Sequence, residues 1–149
     1  MFYIFVEIVF RLVKNIQELV AQFEQESLPK EQWTHEAHLT VGCFYVFHFG
    51  KEKALETIRT NIKKYNVATG GENTDTAGYH ETITVFWIWN INEFIKNHGK
   101  ENTLETIIQQ FISSKYADKS LPFSYYSKEL LLSTAARLNF IEPDIASFV

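Results

Sequence analysis

Apolar residues recur at helical spacing through most of the chain. Ile16, Leu19, Val20 and Phe23 fall at i, i+3, i+4 and i+7 and form one stripe. The stripe ends near Ser27-Leu28-Pro29, where the proline forbids continuation and suits the first turn of a following helix. That second helix is expected over residues 29–49, with Gly50 as its stop. After His38 it is apolar almost all round, through Leu39, Val41, Cys43, Phe44, Tyr45, Val46 and Phe47, as befits a helix central in its domain. A third helix over residues 51–65 turns Leu55, Ile58, Ile62 and Tyr65 inward and is otherwise charged.

The stretch N-V-A-T-G-G-E-N-T-D-T-A, residues 66–77, concentrates turn-forming side chains and reads as the longest internal loop. A fourth helix, residues 77–97, opens with Tyr79-His80-Glu81 and continues through Ile83, Val85, Phe86, Trp87, Ile88, Trp89 and Ile91. Its β-branched content would permit a strand, but its length and the spacing of Ile91, Phe94 and Ile95 favour a helix. For a fifth helix, Asn102 is the expected cap, with Glu105 three residues later as in a capping box, followed by the stripe Leu104, Ile107, Ile108 and Phe111. Beyond Ala117 the pattern loosens into a turn at Leu121-Pro122-Phe123, two short helices over 127–132 and 133–138, and an extended tail. The expected fold is a single all-α domain, residues 1–149. It is an up-down bundle of four to five helices with an irregular capping segment over 117–149.

Composition narrows this picture. With 15% aromatic residues the chain can bury a large area per residue, and six Gly and three Pro are too few for a loop-rich protein. A net charge of −4 opposes nucleic-acid binding, which calls for a basic face; Lys63-Lys64 and the Lys51/Lys53 pair read as solvated spots. The single cysteine, Cys43, cannot form an internal disulfide and fits a cytoplasmic protein. It lies in an apolar run, where a buried inert thiol is expected. The start, M-F-Y-I-F-V-E-I-V-F, is apolar but interrupted by Glu7 and followed by Arg11 and Lys14. It lacks the basic n-region and cleavage site of a signal peptide and is too short to span a bilayer. An added turn of the first helix is the preferred reading of this arm, residues 1–11, ahead of a strand-like arm or a peripheral membrane contact.

The chemistry concentrates in two histidine–glutamate pairs, each where an apolar helix is expected to begin. His35–Glu36 lies in W-T-H-E-A-H-L-T, with His38 three residues on, and His80–Glu81 lies in G-Y-H-E-T-I-T. Polar groups of this kind beside an apolar core require partners. Short connections make neighbouring helices antiparallel, so the second and fourth helices should start at the same end of the bundle. His35 and His38, at i and i+3, allow two ligands to one ion, and His80 would supply a third. Three ligands with an open position suit a divalent metal such as zinc, iron, manganese or nickel. Glu81 or Glu36 would then ligate, orient an imidazole or serve as general base. Tyr79, Asp75 and Arg137 are candidates to contact substrate. The plain alternatives are that glutamates in first turns answer the helix dipole, that His48 and His98 cap C-termini, and that Trp87 and Trp89 are core aromatics. Neither H-E-x-x-H nor the Glu-x-x-His pairs of di-iron bundles is present at these positions.

W-T-H-E-A-H-L, then the stretch from Tyr65 to Thr84 ending G-Y-H-E-T-I-T, then Y-Y-S-K-E-L-L-L-S-T-A-A-R, resembles a family of small bacterial proteins with no established activity. More remotely, a small bundle with three histidines at one end is similar to the DinB/YfiT-like metal-dependent hydrolases and thiol transferases. The order here, H-x-x-H first and a single His later, departs from theirs, so that likeness implies fold and not mechanism. The leading expectation is a divalent-metal-dependent enzyme that hydrolyses a small molecule or transfers a group to it. A metal-free small-ligand-binding module comes second, and a structural or partner-binding helical protein third. Aromatic-rich helices also allow a homodimer.

Overall fold

Seven α-helices follow one another among the described residues: α1 (Phe2–Glu24), α2 (His35–Phe49), α3 (Lys51–Ala68), α4 (Glu81–His98), α5 (Leu104–Ile112), α6 (Lys128–Leu131) and α7 (Thr134–Leu138). Single 3-10 turns occupy Lys30–Gln32, Lys115–Ala117 and Leu121–Ser124. The computed structural model describes residues 2–99 and 101–149, and within α1 the side chains of residues 3, 4 and 15 onward. The all-α bundle expected from the periodicity is therefore present, and from Phe2 onward the backbone of the apolar N-terminal arm belongs to α1.

Helix α2, apolar on nearly every side, lies at the centre and packs against α1, α3, α4 and α5. Val41, Cys43 and Tyr45 are fully buried on it and meet Phe23, Ala54, Ile107 and Phe111 from the surrounding helices. Burial pushes the Cys43 thiol well above its ordinary range, so it stays protonated and inert. Gly42 sets the distance to α4, since a Cβ there would lie 2.8 Å from the Ile91 side chain. Gly50 alone separates α2 from α3, and its φ of +80° supplies the left-handed conformation that so short a connection requires. A second apolar cluster, Phe86, Tyr126 and Leu131, holds the C-terminal cap against α4, with Phe148 stacked on Trp89 at 4.4 Å.

Three helix starts differ from the sequence pattern, each because a side chain captures a backbone N–H. Helix α2 begins at His35 rather than residue 29, since the Thr34 hydroxyl accepts from Ala37 N–H and the preceding segment is a 3-10 turn. Helix α4 begins at Glu81 rather than residue 77. His80 is extended there (φ −132°, ψ 109°), and Ile83 N–H donates to its Nδ1. Helix α5 is capped by Thr103, not Asn102; the Asn102 amide instead donates to His98 O at the end of α4. Helix α3 runs three residues beyond its expected end, to Ala68. The short helices of the cap start where the serines stand, at Ser127 and Ser133. Among the described residues no helix is long and apolar enough to cross a membrane.

Candidate functional site

A cavity of about 450 Å³ opens between α2, α3, α4 and the C-terminal cap. Leu39 and Gly42 of α2, Ile58 and Ile62 of α3, and Ile83 and Ile88 of α4 make its walls. Lys119 and Phe123, both exposed, and the buried Leu131 close it from the cap. Trp33 and Trp87 add two indoles, and Thr84, His35 and His38 are the polar side chains on the protein's inner side. The first turns of α2 and α4 thus border one space, as same-end packing requires.

Capping by Thr34 makes His35 the first residue of α2 and His38 the fourth, so both lie on one helix face. Each imidazole is held by a backbone carbonyl. His35 Nε2–H donates to Ala117 O at 2.8 Å, and its ring meets Trp87 nearly edge-on at 5.1 Å. His38 Nδ1–H donates to Thr34 O at 2.7 Å, and its ring stacks on Trp33 at 3.8 Å; Trp33 in turn stacks on Phe23. A carbonyl only accepts, so these bonds fix the tautomers. That leaves His35 Nδ1 and His38 Nε2 without a partner, and in the neutral His38 ring Nε2 carries a lone pair. Among the described residues no buried side-chain nitrogen or oxygen lacks a hydrogen-bond partner, so these two unbonded nitrogens reach open space. Desolvation lowers His38 to about 4, against the opposing bond to Thr34 O, and the nearby His35 and Lys119 push in the same direction. The ring is neutral at physiological pH.

His80 stands apart from this pair. Its Nε2–H donates to Leu131 O at 2.8 Å while its Nδ1 accepts Ile83 N–H at 3.2 Å, so both ring nitrogens are occupied. Burial, assisted by Arg137, lowers its pKa against the bond to Leu131. It acts as the cap of α4 and a clamp on α6. Ligation of a metal would require giving up one of these bonds. Glu81 accepts from Arg59 Nη2 and Nε, the latter at 3.0 Å, and from the Tyr79 hydroxyl at 2.6 Å. Desolvation would raise the Glu81 carboxyl, but the bonds from Arg59 and Tyr79 outweigh it and the net shift is downward. Such a carboxylate is an ion-pair partner, not a free base. Tyr79 is buried, raised by desolvation and by Glu81, with the Lys63 ammonium over its ring.

The remaining candidates also lie outside the cavity. Glu36 is exposed on the outer side of α2's first turn, and Asp75 is exposed in the loop before α4. Arg137 Nη1 donates to Gly78 O at 2.8 Å and straps α7 to that loop. Of the predicted residues, then, His35 and His38 share one space, while His80, Glu81, Tyr79 and Arg137 hold the start of α4 in place. Among the described residues no three His, Cys, Asp or Glu side chains are placed to hold one metal ion. Lys119, Thr84 and Phe123 were not legible as site residues. Lys119 and Phe123 fall in the aperiodic stretch, and Thr84 sits inside an apolar run. Asn90, buried in α4, is a further hidden element: its amide donates to Tyr116 O at 2.8 Å, one residue from the carbonyl that His35 holds, so the two side chains together pin the cap to the bundle. No protein-family model matches the chain, and no curated protein or solved structure is significantly similar to it.

Proposed function

We propose that the protein is a small-molecule-binding module whose ligand occupies the cavity between α2, α3 and α4 and is oriented there by His35 and His38. One observation carries this reading: an apolar space of about 450 Å³ bordered by two imidazoles, each with one ring nitrogen left unbonded. The volume falls in the range of small-ligand pockets, and a mostly apolar wall with few polar groups is their usual composition. The imidazoles are preorganised, because backbone carbonyls hold their N–H groups and Trp33 and Trp87 fix their planes.

A divalent-metal-dependent hydrolase or transferase is the second reading of the same histidines. It is favoured by the i, i+3 pair alone, and it needs further ligands from water or substrate, since His80 and Glu81 are already bonded. The fluorescent probe N-phenyl-1-naphthylamine separates the two. Wild-type protein is expected to bind one equivalent, with the dye's emission enhanced and the fluorescence of Trp33 and Trp87 quenched by energy transfer to it. The variant Ile62→Trp, which fills the cavity from a half-buried position, is expected to bind at least tenfold more weakly with unchanged circular dichroism. Equal binding by both proteins, or none by the wild type, removes the cavity reading. Stoichiometric metal in tag-free protein, lost in His38→Ala, moves the assignment to the metal-dependent reading.

A further inference from the structure

The hydrogen bonds around the cavity define what kind of ligand can meet it. Both imidazoles have given their N–H to carbonyls, Thr34 O for His38 and Ala117 O for His35. His38, which is neutral and lines the cavity, offers acceptor capacity only, through Nε2. A carboxylate, phosphodiester or sulfonate has no proton to give such a nitrogen at neutral pH, and its lone pairs would face the ring's own. An ammonium ligand could donate, but among the described residues no Asp or Glu lines the cavity to neutralise it, and the Lys119 ammonium there repels it. A neutral donor remains, and among neutral donors a hydroxyl is a stronger one than an amide or indole N–H. The hydroxyl of an aromatic ring is the better match. It is a stronger donor than an aliphatic alcohol, and Lys119 at the mouth stabilises the negative charge that builds on its oxygen. A flat ring also suits the aromatic surfaces of Trp33, Trp87 and Phe123, which favour offset or edge contacts.

Resting on the cavity reading above, we infer that the ligand is a neutral phenol, its ring among the indoles and its hydroxyl donating to His38 Nε2. Thr84 has no proton to give a ligand, because its hydroxyl already donates to His80 O at 2.8 Å, so it adds acceptor capacity only.

Three matched probes test the inference: 4-propylphenol, its methyl ether 4-propylanisole, and 4-propylbenzoate, each titrated by displacement of N-phenyl-1-naphthylamine. The phenol is expected to bind about tenfold more tightly than the ether, the worth of one buried hydrogen bond, and the benzoate is expected to bind most weakly. In His38→Phe, which keeps an aromatic ring against Trp33 and loses the acceptor, the ratio of phenol to ether should fall to about one while the ether's affinity holds. Nitrogen-15 spectra of the wild type give an independent readout: the unprotonated Nε2 of His38 should shift upfield on addition of the phenol and not of the ether. Equal binding of phenol and ether, or no shift at Nε2, overturns the ligand class while leaving a binding cavity. Tightest binding by the benzoate overturns it in favour of an anion anchored on Lys119. Failure of all three probes and of the dye overturns the cavity reading itself.

Discussion

Replacing His80 by alanine should destabilise the protein by about 3 kcal/mol, and the structure divides that loss into parts. His80 is buried, and each of its ring nitrogens holds a separate element. Losing the cap on Ile83 N–H costs about 1 kcal/mol. Leaving the carbonyl of Leu131 without its donor adds about 1–3 kcal/mol, because Leu131 is nearly inaccessible to water. For a chain of this size each kcal/mol lowers Tm by roughly 2–4 °C, so a fall of about 6–12 °C is expected. Asparagine separates the two contributions. Its side-chain oxygen caps a helix as well as any residue does, but it is too short to replace the imidazole at Leu131. His80→Asn should therefore recover about 1 kcal/mol relative to His80→Ala and no more. Urea denaturation followed by circular dichroism, with Tm from calorimetry, reads both quantities. If His80→Asn is no more stable than His80→Ala, or if both lie within about 0.5 kcal/mol of the wild type, the cap-and-clamp assignment is wrong. A drop in bound metal on His80→Ala would also count against it, since it would mean that a ring nitrogen was free for an ion.

Three further outcomes follow from the geometry. His38 and His80 both have lowered pKa values in the folded protein, so between the ordinary histidine range and about 4 the unfolded chain binds more protons. Stability is then full above about pH 6.5 and falls as pH drops towards 4; the His38 shift alone corresponds to roughly 3 kcal/mol. Urea melts from pH 7.5 to 4.5 should show this slope and a shallower one in His38→Gln; a flat or inverted dependence refutes it. Glu81→Gln should cost about 2 kcal/mol, between the values for exposed and buried pairs, because Arg59 is about a third exposed while Glu81 is largely covered. Adding Arg59→Met should recover part of that loss, and strict additivity in the double variant would show the pair to be uncoupled. Thr103→Ala should cost about 1 kcal/mol in the same melts, whereas Asn102→Ala should stay within about 0.5 kcal/mol; the reverse order would return the cap of α5 to Asn102.

The bundle was legible because its information is periodic. Stripes such as Ile16, Leu19, Val20 and Phe23 repeat often enough to survive any single local exception, and the all-round apolarity of α2 marked it as central. Helix starts were less legible, because a start depends on one hydrogen bond and several residues compete for it. Asn102 and Thr103 are both good caps, and sequence alone does not say that Asn102 is better used on the last turn of α4. Histidine at the start of α4 is harder still. It is not among the preferred capping residues, yet a neutral imidazole has the lone pair that the role needs.

The candidate site was half legible for a related reason. Topology brought the first turns of α2 and α4 to one space, and periodicity foresaw that. What decides the chemistry is where each ring nitrogen's proton goes, and that depends on carbonyls far away in the chain. Ala117 lies 82 residues from His35, and Leu131 lies 51 residues from His80. Both carbonyls belong to the aperiodic cap, the part of the chain whose path no spacing rule predicts. The same type of bond has opposite consequences at the two sites. At His35 it uses one nitrogen and leaves the other open beside an apolar cavity. At His80 the second nitrogen is already committed to the backbone of its own helix, so the residue that completed a three-histidine set on paper is consumed by the fold. A histidine near a helix start is therefore informative about function only when its position leaves a lone pair unclaimed by the helix, and a residue one turn inside the helix meets that condition more readily than the residue at its cap.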